Sequence, residues 1–143
     1  MIACADRRAE PSGDGRTLPG FRKKSFILNY AGGEIWFEHL DGIYGFTELA
    51  AEKLCSDRAS FRRPSSPSHI SFVLDETVVN DELISLIVDL LTKPGKRFMR
   101  IAFVGADRSA RRKLKKRLSG NDFAIVFFDG IDPAKEWLTN ETL

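Results

Sequence analysis

Three short, nearly continuous apolar runs, HISFVLD (69–75), MRIAFVG (99–105) and FAIVFF (123–128), punctuate the second half of this chain, each set off from the next by a segment of helical character. Runs of this length without polar alternation mark strands covered on both faces, which requires helices lying on the sheet. Between the first two, Asn80 and Asp81 can cap a helix carrying Leu83, Ile84, Leu86, Ile87, Val88, Leu90 and Leu91, which Lys93-Pro94-Gly95 ends. Between the second and third, a basic helix runs over about 108–118 until Ser119-Gly120-Asn121. After the last strand, DPAKEWL (132–138) offers Asp132 as the cap of a closing helix, with Pro133 at its first position. Strands alternating with helices imply parallel pairing through right-handed crossovers.

The first half adds a hairpin. SFILNY (25–30) and EIWFEHL (34–40) are strand-like blocks around an Ala-Gly-Gly turn. Phe46, Leu49, Ala50 and Leu54 then recur at helical spacing, predicting a helix over 47–56 capped by Thr47, and DRASFRRPSSPS (57–68) reads as a loop. The expected fold is α/β, a mostly parallel sheet with an N-terminal antiparallel hairpin strand, in the order β-β-α-β-α-β-α-β-α. Residues 1–23, rich in Pro, Gly, Ser and charge, read as a disordered leader before a single domain over 24–143.

Charge is distributed as a dipole. The 25–143 body carries sixteen Lys/Arg and seventeen Asp/Glu, yet 96–117 holds ten bases against Asp107 alone, and 72–89 holds five acids and no base. The two cysteines show no metal or disulfide spacing, so reduced thiols, no cofactor and no metal are expected. No apolar stretch is long enough for a membrane span or a signal peptide, which points to a cytoplasmic protein.

Several stretches in this order resemble a known family: DGIYGFTELAAEKL (41–54), FVLDE (72–76), IAFVG (101–105) and FFDGIDPAKEWL (127–138). Together they are similar to the STAS superfamily, the sulfate-transporter and anti-sigma-factor-antagonist domains, and nearest to its SpoIIAA-like, bacterial stand-alone branch. The resemblance covers about residues 25–139 and implies a non-catalytic regulatory module that binds a protein partner. The family's phosphorylated serine would fall where this chain reads ETVVNDELIS (76–85), which has no Ser-Ser pair; Ser85 shares a helix face with Glu82 and Asp89, so the usual phosphoserine switch is not expected. Asp75, Asn80, Asp81 and Ser85 are the candidate partner-binding residues on this side.

The most concentrated feature is DRSARRKLKKRL (107–118), seven bases in the ten residues Arg108–Arg117. Ala110, Leu114 and Leu118 at intervals of four form an apolar stripe, so this helix is expected to cover the sheet with Arg111, Arg112, Lys115 and Lys116 on its outer arc. Without aromatic interleaving or a turn-helix pair it does not read as sequence-specific for nucleic acid. An acidic protein partner fits it, including the 75–89 surface of a second copy through self-association. Gly105 and Ser109, at a strand-to-helix turn, are candidates for anion binding. The alternative readings are a small-molecule or lipid carrier of the related Sec14-like architecture and, third, an enzyme drawing on Cys55, His39 and His69.

Overall fold

The computed structural model describes residues 25–140, so the expected leader lies outside the described residues. The nine elements appear in the expected order: β1 (Phe26–Tyr30), β2 (Gly33–His39), α1 (Thr47–Phe61), β3 (His69–Val73), α2 (Asp81–Thr92), β4 (Arg100–Val104), α3 (Arg108–Leu118), β5 (Ala124–Phe128) and α4 (Ile131–Thr139). The strands form one sheet in the order β1-β2-β3-β4-β5, with β1 antiparallel to β2 and the remaining pairs parallel. The fold is therefore α/β, as the alternation of runs requires.

Sequential strand order fixes where the helices go. Every right-handed crossover steps in the same direction, so α1, α2 and α3 fall on one face of the sheet. Their apolar stripes cover Trp36, Ile70, Phe72, Ile101 and Phe103 with Leu54, Phe61, Leu83, Ile87 and Leu114. Phe72, Phe103 and Phe127 stack across three neighbouring strands, with centroids 5.3 and 5.4 Å apart, and Phe61 meets Phe72 edge-on at 6.4 Å. The last helix folds back over the opposite face, where Ala134 and Leu138 bury Ile35, Phe37, Val73, Ala102 and Val104. No described helix is long and apolar enough to cross a membrane.

Element ends differ from expectation where a single contact outweighs composition. Helix α1 does not stop near residue 56 but runs on to Phe61, because that ring is fully buried two turns beyond Leu54 and holds the last turns against the core. Thr47 is not its cap; the cap position is Phe46, and no side chain bonds there. Asn80 does cap α2, accepting from the Leu83 N–H at 2.9 Å. Gly130 rather than Asp132 precedes α4, and Asp132 pairs with Lys135 at 3.1 Å within the first turn. The β1–β2 turn is a two-residue type I′ connection, with Ala31 and Gly32 at φ 52° and 82°.

Candidate functional site

In a parallel sheet the loops leaving the C-terminal ends of the strands share one rim, the usual location of sites in this fold class. Here the β2–α1 and β3–α2 loops are stitched together beyond the strands. Gly42 N–H donates to the Asp75 carbonyl (2.8 Å), Tyr44 N–H to that of Glu76 (2.7 Å) and Val78 N–H to that of Tyr44 (2.7 Å). Thr77 Oγ1 accepts from the Ile43 N–H at 3.1 Å and donates to the Leu40 carbonyl. This ladder holds Tyr44 and Glu76 in the left-handed region, at φ 54° and 56°, a conformation costing about 1–2 kcal/mol for each residue with a Cβ. Such strain persists only where the surroundings over-determine it. The rim so fixed exposes Tyr44, Phe46 and Val78 at 52%, 53% and 53%. Tyr44 Oη donates to Glu76 Oε2 at 3.0 Å, and the carboxylates of Asp75, Asp81 and Glu82 belong to the same loop and helix start.

The candidate residues read from sequence gather around this rim and along α2 and α3, in different roles. Asp75 lies directly against Gly105: a Cβ on that glycine would come within 2.3 Å of Asp75 Oδ1, and its φ is 79°. The turn is therefore filled by a carboxylate, and Asp107 Oδ1 already accepts from the Ala110 N–H at 2.7 Å. An anion between Gly105 and Ser109 would have to share this turn with the Asp75 and Asp107 carboxylates. Across the α2–α3 groove, Lys113 pairs with Asp81 at 2.6 Å, and Arg117 donates to Ser85 Oγ at 2.6 Å. Asp81 at the start of α2 is thus met by α3 of its own chain.

Arg111 departs from the outer arc where it was expected. It donates to the Ala106 carbonyl at 2.9 Å and to Asp129 at 2.6 Å, and lies 5.9 Å from the Phe127 ring centroid, so it is a structural tie between α3 and β5. Arg112, Lys115 and Lys116 do project outward, exposed and without a side-chain partner among the described residues. Arg62, the first arginine of RRPSS (62–66), closes the end of α2 by donating to the carbonyls of Leu90, Lys93 and Pro94 at 3.2, 3.0 and 2.8 Å.

A polar cluster that sequence reading missed lies between β2 and α1. Glu38 is fully buried; its Oε1 accepts from Trp36 Nε1 at 2.9 Å, while its Oε2 meets no donor and stands 3.9 Å from Lys53 Nζ. Lys53 turns instead to Asp57 (2.9 Å) and Ser25 Oγ (2.7 Å). Burial pushes the Glu38 carboxyl well above its ordinary range, and the adjacent Asp57 carboxylate adds to the effect. A proton retained on Glu38 would be shared with Asp57. Burial also pushes Asp57 up, but the bonds it accepts from Glu38, Lys53 and Ser25 outweigh this and hold it below the usual carboxylate range. One proton and one ammonium thus serve two carboxyls, tying α1 to β2. The available signal was an acid at an inward position of β2, between Trp36 and Leu40, with Lys53 and Asp57 four apart on the facing helix.

The groups that could have supported catalysis are scattered. His39, at the C-terminal end of β2, bonds Asp41 Oδ1 through Nδ1 at 2.9 Å and stacks on Phe26 at 5.5 Å. His69 opens β3 at the other end of the sheet; burial holds its pKa below the ordinary imidazole value, the Arg100 charge adds to this, and its bond to the Leu138 carbonyl opposes it. Cys55 is not the reduced thiol expected but is disulfide-bonded, its partner lying outside the described residues. Among the described residues no three His, Cys, Asp or Glu side chains gather as metal ligands. A surface hollow of about 440 Å³ lies at the N-terminal ends of β4 and β5, edged by Lys93, Lys96 and Arg97. Compared with family models, curated proteins and solved structures, the chain matches none.

Proposed function

We propose that this chain is a non-catalytic protein-interaction module, in the manner of the STAS domains its motifs resemble, and that its partner docks on the rim of the β2–α1 and β3–α2 loops. The observation carrying this reading is the half-exposed set Tyr44, Phe46 and Val78, presented on loops whose backbone is locked at some cost in strain. Aromatic side chains displayed on a rigid frame bind at low entropic cost and are typical interface anchors. The acids of the same loops, Asp75, Glu76 and Glu82, favour a partner segment with apolar anchors and basic flanks. Ser85 is half-buried inside α2 with its hydroxyl held by Arg117, which fits a module working without a phosphoserine switch. A carrier needs an apolar cavity. Side chains fill both sheet faces around Phe72, Phe103, Phe37 and Val104, and the hollow at the opposite end is edged by cations.

The test is site-specific photo-crosslinking in the full chain, with benzoylphenylalanine at Phe46 or Val78 and, for comparison, at Lys116. The rim reading expects adducts to one protein from the first two positions and not from the third. Binding of that protein, once purified, should fall by about tenfold or more in Phe46→Ala with Val78→Ala, since interface anchors contribute about 1–2 kcal/mol or more each. Capture confined to Lys116, or affinity untouched by the double substitution, overturns the rim reading in favour of the cations of α3.

A further inference from the structure

We infer that the outer edge of β1, last in the sheet of described strands, is a self-association surface, joining two copies of this chain by antiparallel β1–β1 pairing into one continuous sheet. The inference comes from backbone direction. A two-residue I′ turn closes on a hydrogen-bonded pair, here Tyr30↔Gly33. Bonded and non-bonded pairs then alternate along the register, so Phe26, Leu28 and Tyr30 direct their N–H and C=O groups to β2. Those of Ile27 and Asn29 point away from the sheet, and no bond within the described residues reaches them.

The four outward groups are arranged symmetrically about Leu28. A two-fold axis through Leu28 sets Ile27 of one copy opposite Asn29 of the other and the reverse, forming two bonded pairs that use every outward N–H and C=O of both strands. On one face Leu28 meets its own equivalent, and Phe26 comes opposite Tyr30 of the second copy in a close, non-bonded pair. Phe26, 43% exposed and stacked on Phe37 at 5.8 Å, would extend an existing aromatic row across the joint. On the other face Ile27, 45% exposed, lies beside Asn29. No like charges oppose one another, and FILNY holds none of the usual guards of an exposed edge, neither charge, proline nor bulge. An uncharged strand with symmetric outward groups suits its own copy, not a foreign segment chosen by charge. The joint is short, so association is expected in the micromolar range or weaker.

Sedimentation velocity of the full chain over about 1 µM to 1 mM, with amide exchange at both ends of that range, tests the pairing by mass action. The expected result is a monomer-to-dimer shift accompanied by slower exchange at Ile27 and Asn29, with Leu28 unchanged because β2 already protects it. Asn29→Pro removes an outward donor without touching a β1–β2 bond and should abolish the shift; Ile27→Lys, which keeps the backbone intact, should do the same through charge. A monomer across the whole range overturns the inference. So does a dimer that survives both substitutions, or protection of Ile27 and Asn29 that is independent of concentration, which would assign the edge to a segment of the same chain.

Discussion

Among the described residues, 24 buried apolar residues form the cluster between the sheet and helices α1–α3, Phe61, Phe72, Phe98 and Phe103 among them; seven form the cluster between the sheet and α4. The last helix makes up for its small apolar area at its C-terminal end. Arg100 Nη1 donates to the carbonyls of Trp137 and Asn140 at 2.7 and 2.6 Å and lies 5.8 Å from the Trp137 ring centroid, while His69 bonds the Leu138 carbonyl. Carbonyls at a helix end lie beyond the regular intrahelical ladder, that of Trp137 accepting otherwise from the Asn140 N–H at 3.4 Å, and a cation there also meets the negative end of the helix dipole. One face therefore stands or falls with the whole fold, whereas the other is pinned by polar bonds at one end and can open at lower cost.

Deleting a ring from the larger face should produce the greatest effect. Phe61→Ala removes the ring that meets Trp36, Phe72 and Phe98, and is expected to cost about 3–5 kcal/mol in denaturant unfolding. A loss below about 1 kcal/mol would mean that the last turns of α1 are not part of the core.

Next comes the polar tie on the same face. Glu38→Ala leaves Trp36 Nε1 and Asp57 without their buried partner and is expected to cost about 2–4 kcal/mol, whereas Glu38→Gln can satisfy both and should stay within about 1 kcal/mol of the parent. The two variants also separate by pH. Folded Glu38 keeps its proton above the ordinary value of 4.5 at which the unfolded chain releases it, so the native state binds more protons and stability falls as pH rises through the folded pKa. Glu38→Gln should abolish that decline with rising pH. Its persistence would place the effect on another group.

The α4 face titrates in the opposite sense. His69 stays neutral in the fold below the ordinary 6.5, so on acidification the opened state takes up a proton that the docked state does not, and docking weakens as pH falls through that window. Arg100→Ala at neutral pH should speed amide exchange of α4 by roughly tenfold to a hundredfold, about 1–3 kcal/mol of local stability, while β4 amides follow the global transition. His69→Gln should remove the acid sensitivity of α4 exchange. If α4 and β4 amides respond equally to both changes, the faces are one cooperative unit and the contrast fails.

How far this architecture could be read from sequence depends on the range of the interaction involved. The runs 69–75, 99–105 and 123–128, with the apolar stripes of α2 and α3, placed the elements because periodicity is local. Phe61 was missed because a polar, proline-bearing segment surrounds it, and only the Trp36 and Phe72 rings across the core explain why the helix continues. At the candidate site, Asn80 was legible as a cap, and Ala110, Leu114 and Leu118 as a buried stripe. Arg111 was misplaced because spacing puts it near the stripe's border, and its inward turn depends on carbonyls of Ala106 and Phe128 that come from two other points of the chain. The strained pair Tyr44 and Glu76 carries no sequence signal at all, since neither residue favours positive φ.

The smallest effect on stability separates charge that holds the fold from charge that rides on it. Arg112, Lys115 and Lys116 stand on the outer arc of α3, above the apolar face, and none makes a side-chain bond among the described residues. Replacing all three by Glu should change unfolding free energy by no more than about 0.5 kcal/mol per position, the ordinary range for surface substitutions. Arg111→Glu, one residue before Arg112, should cost clearly more, because it breaks the bonds to Ala106 and Asp129 and places a carboxylate beside another. Denaturant titration of the two variants side by side decides the matter. Equal losses would mean that α3 is held by its overall charge and not by Arg111, and the division between structural and free cations on this helix would have to be withdrawn.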